Sequence, residues 1–276
     1  MTIDQANFRN HIAKNQLILA NDGKDGNSKQ VVEYNTDFFV EERENSLKSA
    51  KVIVPLVLSI VNARSVVDVG CGVGAFLHEF RNLGIGEIMG IDGTIPGQDL
   101  LLIPEAQMLN RDLSKPLKLD KKFDLVVSLE VAEHLEPEFA DVFISNLTEA
   151  GDVILFSAAI PGQGGTHHMN EQWPSYWAEK FERHGFQAID CIRPLIWDNE
   201  GVDLIYAQNT VLYARKDVIQ EGLLIRTENN LSRNYPLSLI HPRFYAGKTA
   251  NSLKIYNALL RRMIQFSQEL FRKVRA

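Results

Sequence analysis

Hydrophobic and polar positions alternate with two different periods along this chain, and the changes of period mark out its elements. Residues 21–30, NDGKDGNSKQ, hold two glycines and no apolar side chain, so they read as a loop after a short helical arm. NSLKSAKVIVPLVLSIV, residues 45–61, has a helical pattern, with Asn45 or Ser46 as its cap and Pro55 as a kink. From residue 65 the pattern becomes strictly mixed. SVVDVG, EIMGID, AQMLNRD, FDLVVSLEV and DVILFSAAI are short β-rich runs, while AFLHEFRNLG and PEFADVFISNLTEAG place apolar residues at helical spacing. EQWPSYWAEKFERHGF is a further helix stopped by Gly185, with Trp177 and Phe181 on its core face. QAIDCIRP and NTVLYARK supply two last strands.

Strands alternating with helices predict an α/β fold around a mostly parallel sheet with right-handed crossovers. Residues 194–207, with Pro194, Trp197, Asn199, Gly201 and Tyr206, read as a long loop. Without a crossover helix, the final two strands pair antiparallel. The expected architecture is a seven-stranded, mostly parallel sheet with an antiparallel last strand. It divides into an N-terminal arm or lid over 1–44, an α/β domain over 45–216 and a C-terminal extension over 217–276. In that extension Leu253, Tyr256, Leu260, Met263, Leu270 and Val274 form one stripe, with Arg261, Arg262, Arg272, Lys273 and Arg275 nearby. Such a helix over 252–275 is expected to pack on its own domain or in a homodimer rather than on a membrane.

Charge sharpens this division. The net charge is −6, yet residues 217–276 carry ten Lys and Arg against four Asp and Glu, which leaves the first 216 residues strongly acidic. An acidic region is a poor match for long nucleic acids, whose binding depends on phosphate neutralisation, so small or neutral acceptors are favoured. The start MTIDQANFRN lacks the basic and apolar parts of a signal peptide, and no run of about 18 apolar residues spans a membrane. Two cysteines, Cys71 and Cys191, cannot make a disulfide framework. These features lead to the expectation of a reduced cytoplasmic protein without a transmembrane segment.

The candidate chemistry begins in VVDVGCGVGAF. A strand rises to Val69 and turns on Gly70, Gly72 and Gly74 into a helix, where glycines admit positive φ and a close ligand. Asp68 at the strand end is placed to accept from an ammonium group or from loop amides. Asp92 ends the second strand, 22 residues after Gly70, where a carboxylate meets ribose hydroxyls; Asp112 follows the third strand. Three acids at the carboxyl ends of three successive strands mark the ligand edge of an open α/β sheet.

DVGCGVG, GID, RDL and FDLVVSLEVAEHL, in that order over residues 45–215, resemble the motifs of class I S-adenosylmethionine-dependent methyltransferases, which have a Rossmann-like fold. The resemblance implies that Gly70, Gly72 and Gly74 wrap the methionine part of the cofactor and Asp92 holds the ribose. It also implies that Asp112 and Leu113 face adenine and Leu129 lies beside the sulfonium. Cys71 and Gly93, in the same two turns, complete the expected cofactor set with Asp68. An NAD-dependent oxidoreductase is the alternative, disfavoured by a carboxylate at Asp68 beside a pyrophosphate. A non-catalytic cofactor-binding partner subunit is a third reading.

On the acceptor side, Glu130, Glu133 and His134 follow the fourth strand, and His167 and His168 follow the fifth. A helical turn from Glu130 places Glu133 and His134 on its own face. Two carboxylates and one or two imidazoles suit a divalent cation; Mg²⁺ disfavours imidazole, so Mn²⁺, Fe²⁺ or Zn²⁺ is chemically easier. The other reading is a polar acceptor pocket with a histidine base, with Glu130, His167 and His168 as the catalytic candidates.

ExxEH with a later His is similar to metal-using small-RNA 3′-terminal 2′-O-methyltransferases and ubiquinone-pathway O-methyltransferases. Counting 17 residues back from Gly185, as that resemblance directs, selects His168, so that Glu130, Glu133, His134 and His168 form the expected metal set. Trp173, Tyr176, Trp197 and Tyr206, with Tyr34, Phe38 and Phe39, are expected to shape an acceptor pocket or lid. The stretch FSAAIPGQGGTHHMNEQWPSYW resembles bacterial glycan- and metabolite-associated methyltransferases. It implies a small-molecule or sugar acceptor methylated on a hydroxyl, with N-methylation of an amine as the alternative.

Overall fold

All seven β-rich runs form strands of one sheet: β1 (Ser65–Val69), β2 (Glu87–Asp92), β3 (Met108–Asn110), β4 (Leu125–Leu129), β5 (Val153–Ser157), β6 (Phe186–Ile189) and β7 (Val211–Arg215). The structure, a computed structural model, describes residues 36–220, 237–250 and 254. The loop expected over 21–30, Tyr34, and the stripe of 252–275 apart from Lys254 lie outside the described residues. Two compact units divide the chain, 1–233 and 234–276. In the second, residues 242–250 are helical. Among the described residues no helix is long and apolar enough to cross a membrane.

The strand order is β3-β2-β1-β4-β5-β7-β6. The pairs β1–β2, β1–β4, β2–β3 and β4–β5 are parallel, with Val66 opposite both Ile88 and Leu125. β7 runs antiparallel to both of its neighbours, with Tyr213 opposite Ile154 of β5 and Ala188 of β6. Every residue of β1, β4 and β5 is buried, which explains their unbroken apolar runs: both faces of these strands are covered.

Helices α1 (Thr36–Leu58) and α2 (Ala75–Asn82) contribute Ile53, Val54, Val57, Phe76, Leu77 and Phe80 to the main apolar core. Helices α3 (Ala140–Ala150) and α4 (Pro174–Arg183) supply Phe143, Ile144, Trp177 and Phe181, all buried. Phe181 stacks on Tyr213 at 4.1 Å between ring centroids, and Phe156 meets Trp177 at 5.5 Å. Burying such rings stabilises the fold by about 1.5–3 kcal/mol each.

Three expectations change. The first helix starts at Thr36, so neither Asn45 nor Ser46 caps it; Ser46 is an interior residue whose hydroxyl pairs with the Tyr206 hydroxyl at 3.0 Å. The third strand is only Met108–Asn110, preceded by a 3₁₀ turn over Glu105–Gln107. Residues 194–207 are not one long loop. They form α5 (Arg193–Ile196), with Pro194 in its first turn, and α6 (Leu204–Asn209), capped by Asp203 accepting from the Ile205 amide at 3.2 Å. A short α7 (Lys216–Gln220) follows β7.

Candidate functional site

Parallel strands bring the carboxyl ends of β1, β2 and β4 to one edge, and the turn after β1 opens a cleft there. Gly70, Gly72 and Gly74 all have positive φ, at 84°, 51° and 80°. A β-carbon on Gly70 would lie 2.4 Å from a methyl of Val131, while the space beyond the α-carbon of Gly72 is open. The turn therefore packs tightly on one side and leaves room for a ligand on the other. The cleft is lined by Ser46, Asp68, Gly70 to Val73, Phe76, Leu129 and Tyr206.

Two carboxylates define its polarity. Asp68 is 4% exposed, and burial, followed by the negative charge of Asp92, pushes its pKa well above the usual carboxylate range. A cation would relieve both penalties, and the ammonium of an amino acid is such a group. Asp92 accepts from the Gly72 amide at 2.8 Å and the Thr94 amide at 2.9 Å, one on each oxygen. Burial raises its pKa against the Thr94, Gly72 and Gly93 amides, and the carboxylate keeps accepting capacity for a ribose hydroxyl. Burial, and then the charges of Asp68 and Asp92, push the Cys71 pKa well above the ordinary thiol value and favour the neutral thiol.

Asp112 caps the next turn, accepting from the Ser114 amide at 3.0 Å and hydroxyl at 2.6 Å. Leu113 beside it is buried, and the Gly93 carbonyl accepts from Asn110 at 3.3 Å. Open glycine space and two acids at separate depths fit S-adenosylmethionine, which is cationic at one end and carries a ribose in the middle.

Beyond Leu129 the chain turns sharply. Glu130 adopts φ 56°, and Ala132–His134 form a 3₁₀ turn rather than the α-helical turn expected. As a result Glu130 and Glu133 do not extend along one helix face. The Glu130 carboxylate instead accepts from the side-chain amides of Gln163 at 2.8 Å and Asn209 at 3.0 Å. Asn209 also donates to the Gln163 oxygen at 2.9 Å. Asn209 itself ends α6, where the Arg193 guanidinium, paired with Asp190 at 2.6 Å, donates to the neighbouring Gln208 carbonyl at 3.3 Å.

Glu133, His134 and His168 come together, offering ligand atoms that all lie within 4.8 Å of one another. The two imidazoles meet edge to face at 4.9 Å between centroids. Glu133 is fully buried, and neither carboxyl oxygen has a well-formed hydrogen bond among the described residues; the amides of Glu133 and Ala159 and the Glu130 carboxyl come close enough to shift its charge. Burial and then Glu130 push Glu133 well above the usual range, whereas amide groups limit the rise at Glu130.

The Nδ1 of His134 is likewise buried without a partner, and burial, with His168 beside it, lowers its pKa to about 4. A neutral imidazole with an unused lone pair, a second imidazole and a buried carboxyl without a well-formed hydrogen bond are the donor set of Mn²⁺, Fe²⁺ or Zn²⁺ sites, so the residues fit a divalent cation. In this arrangement the close group has three members, with Glu130 held outside it. His167 is exposed, in the left-handed region at φ 57°, and also stands outside.

The loop that carries His168 introduces a residue that the sequence pattern did not single out. Glu171 accepts from His168 Nδ1 at 2.9 Å and from the Gly164 and Gly162 amides at 2.6 and 2.7 Å. Burial opposes its charge, but these bonds prevail and hold it below the usual range. Gln163 and Asn209 were equally silent in the sequence. Among the aromatics expected at the acceptor, Trp173 is exposed and Tyr206 lines the cleft beside the glycine turn.

The methyltransferase-domain family matches residues 39–190, more than half of the chain. The mitochondrial ubiquinone biosynthesis O-methyltransferase of Dictyostelium discoideum is 30% identical over 112 residues, 34% of this chain and 34% of that protein. The match thus spans about a third of that relative's length. The sugar N-methyltransferase KedS8 from Streptoalloteichus superposes with a TM-score of 0.53 at 12% identity, covering 71% of this chain and 99% of that one. DesVI from Streptomyces venezuelae gives 0.48 at 17% identity, covering 65% and 96%. At these identities the structural likeness speaks to the fold alone.

Proposed function

Because this chain belongs to the methyltransferase-domain family and is an S-adenosylmethionine-dependent methyltransferase, we propose that its acceptor atom is a hydroxyl oxygen on a small molecule or sugar. The observation that carries this reading is the close group of buried Glu133 with half-buried His134 and His168, which follows the strand end at Leu129 that lines the cofactor cleft. A neutral amine already carries a nucleophilic lone pair and can shed its proton after the attack, whereas a hydroxyl is a poor nucleophile until its proton is drawn away. A group able to take up a proton or hold a cation in that position serves an oxygen nucleophile more than an amine. The nicotinamide alternative gives way to the family match.

S-adenosylmethionine supplies a methyl group activated on sulfonium, transferred in line to a nucleophile held about 3 Å away. Asp68 accepts from the ammonium end, Asp92 from the ribose hydroxyls, and Asp112 with Leu113 borders the adenine. Leu129 walls the cleft where β4 ends and keeps water from the reacting side. Glu133, His134 and His168 would hold a divalent cation, whose Lewis acidity draws a hydroxyl towards its alkoxide. Glu130, fixed by Gln163 and Asn209, borders this group as an oriented acceptor for a hydroxyl proton.

The test uses pairs of acceptors that differ only in carrying –OH or –NH₂ at one position, with labelled cofactor. Label should enter the hydroxyl compounds, disappear in excess chelator and return with Mn²⁺, while S-adenosylhomocysteine binding stays unchanged. Undiminished transfer to amines in chelator would sink the proposal.

A further inference from the structure

We propose that Glu171 is a positioning residue: it locks His168 into a single ring tautomer, with the proton on Nδ1 and the Nε2 lone pair available to Glu133 and His134's side of the site. The proposal rests on the reading of His168 as a working group of the acceptor site, but its geometry is independent of that reading.

The loop after β5 winds through several left-handed residues. Gly162, Gly164 and His167 all have positive φ, at 81°, 70° and 57°, three left-handed residues within six positions. Left-handed backbone at a residue with a β-carbon persists only where the surroundings over-determine it. Glu171 ties down the residues on either side of His167: one oxygen takes the Gly162 amide at 2.7 Å, and the other takes the Gly164 amide at 2.6 Å together with His168 Nδ1 at 2.9 Å. An ionised carboxylate only accepts, so His168 must donate from Nδ1. In the neutral ring the lone pair is then left on Nε2.

The other side of the ring is shaped by a missing side chain. A β-carbon at Gly165 would lie 2.3 Å from His168 Nε2 and 2.5 Å from Cε1. Any residue larger than glycine there would displace the imidazole. The end of the loop is stapled to the opposite segment, because the Met169 and Asn170 amides donate to the Glu133 carbonyl at 2.8 and 3.0 Å. Three separate constraints therefore converge on one imidazole: a carboxylate on one nitrogen, a glycine beneath the ring and a main-chain tie to Glu133. Glu171 stands outside the close group of donors, so its effect on that group passes through His168. Carboxylate partners of this kind fix the tautomer of a ligating histidine, and their loss costs about 10- to 100-fold in metal affinity.

The experiment is ¹⁵N NMR of the imidazole nitrogens in the full chain, without added metal, at about pH 8, where an ordinary histidine is neutral. His168→Ala identifies the resonances. Wild type should show a protonated Nδ1 and an unprotonated Nε2, and Glu171→Gln, whose amide can donate to Nδ1, should give a mixed or reversed pattern. Glu171→Asp, which keeps the charge, should restore part of the wild-type signal. Mn²⁺ titration should then weaken about 10- to 100-fold in Glu171→Gln, with S-adenosylhomocysteine affinity unchanged.

A wild-type His168 protonated on Nε2 would overturn the proposal without any variant. So would a Glu171→Gln protein that binds S-adenosylhomocysteine normally and keeps the wild-type pattern. If wild type bound no Mn²⁺ yet lost its tautomer in Glu171→Gln, the cation reading would fall and the positioning role of Glu171 would stand.

Discussion

Gly70 sits where two demands meet, since its φ of 84° is unfavourable for any other L-residue and its missing β-carbon is the space filled by both methyls of Val131. Alanine there should cost roughly 2–4 kcal/mol, combining left-handed strain with overpacking. Adding Val131→Ala should return only the packing part, so urea titrations of the single and double variants would separate the two costs. Full recovery in the double variant would show that φ contributes nothing. Asp92 carries a different double load, because it holds the turn through the Gly72 amide and, in the proposed reading, also holds the ribose. Asp92→Ala should weaken S-adenosylhomocysteine binding by roughly 10- to 100-fold, the worth of one or two charge-assisted hydrogen bonds. Undiminished binding by calorimetry in the folded variant would remove Asp92 from the cofactor site.

Between elements, Asp124 ties the start of β4 to the start of β1. Its carboxylate accepts from the Arg64 and Ser65 amides at 2.8 and 3.0 Å, and its own amide donates to the Ser65 hydroxyl at 3.0 Å. Burial opposes the charge, but the two amides, the Ser65 hydroxyl and the charge of Arg64 outweigh it and lower the pKa. A folded pKa below the unfolded one means that this stabilisation is fully present above about pH 5 and is lost as pH falls through the folded value. Asp124→Ala should cost about 1 kcal/mol at neutral pH, the low end for a solvent-screened site. It should also flatten the acid side of the stability curve; an unchanged acid limb would contradict the assignment.

The same scale shows what could be read in advance. The buried strands are contiguous apolar runs, and the glycine turn with Asp68 and Asp92 is local in sequence, so both were legible. Helices of four and six residues, Arg193–Ile196 and Leu204–Asn209, are too short to show a period, and their signals were single residues, Pro194 and Asp203. The long start of α1 was hidden in the polar run 41–44, EERE. Gln163, Glu171 and Asn209 carry no pattern, because each acquires its role only when β5, α6 and the turn after β4 are brought together.

For the whole protein, a ligand that binds only the folded state raises stability with its concentration. S-adenosylhomocysteine at about 100 times its Kd should add about 2.7 kcal/mol, read as a rise in Tm, and NAD should add nothing. A rise with NAD alone would reopen the nucleotide question.

The placement of β7 has a consequence for how this protein comes into being. Strand β7, residues 211–215, lies between β5 and β6, although both precede it in the chain. A ribosome that has delivered 190 residues has thus released every segment of the family match, yet β5 has a bare edge and β6 has no neighbour in the sheet. The nascent chain must wait, exposed to adhesion with other chains, until the last strand arrives and slots inward like a keystone. A polypeptide cut after Asp190 should therefore precipitate and bind no cofactor, even though the glycine turn, Asp68 and Asp92 are all within it.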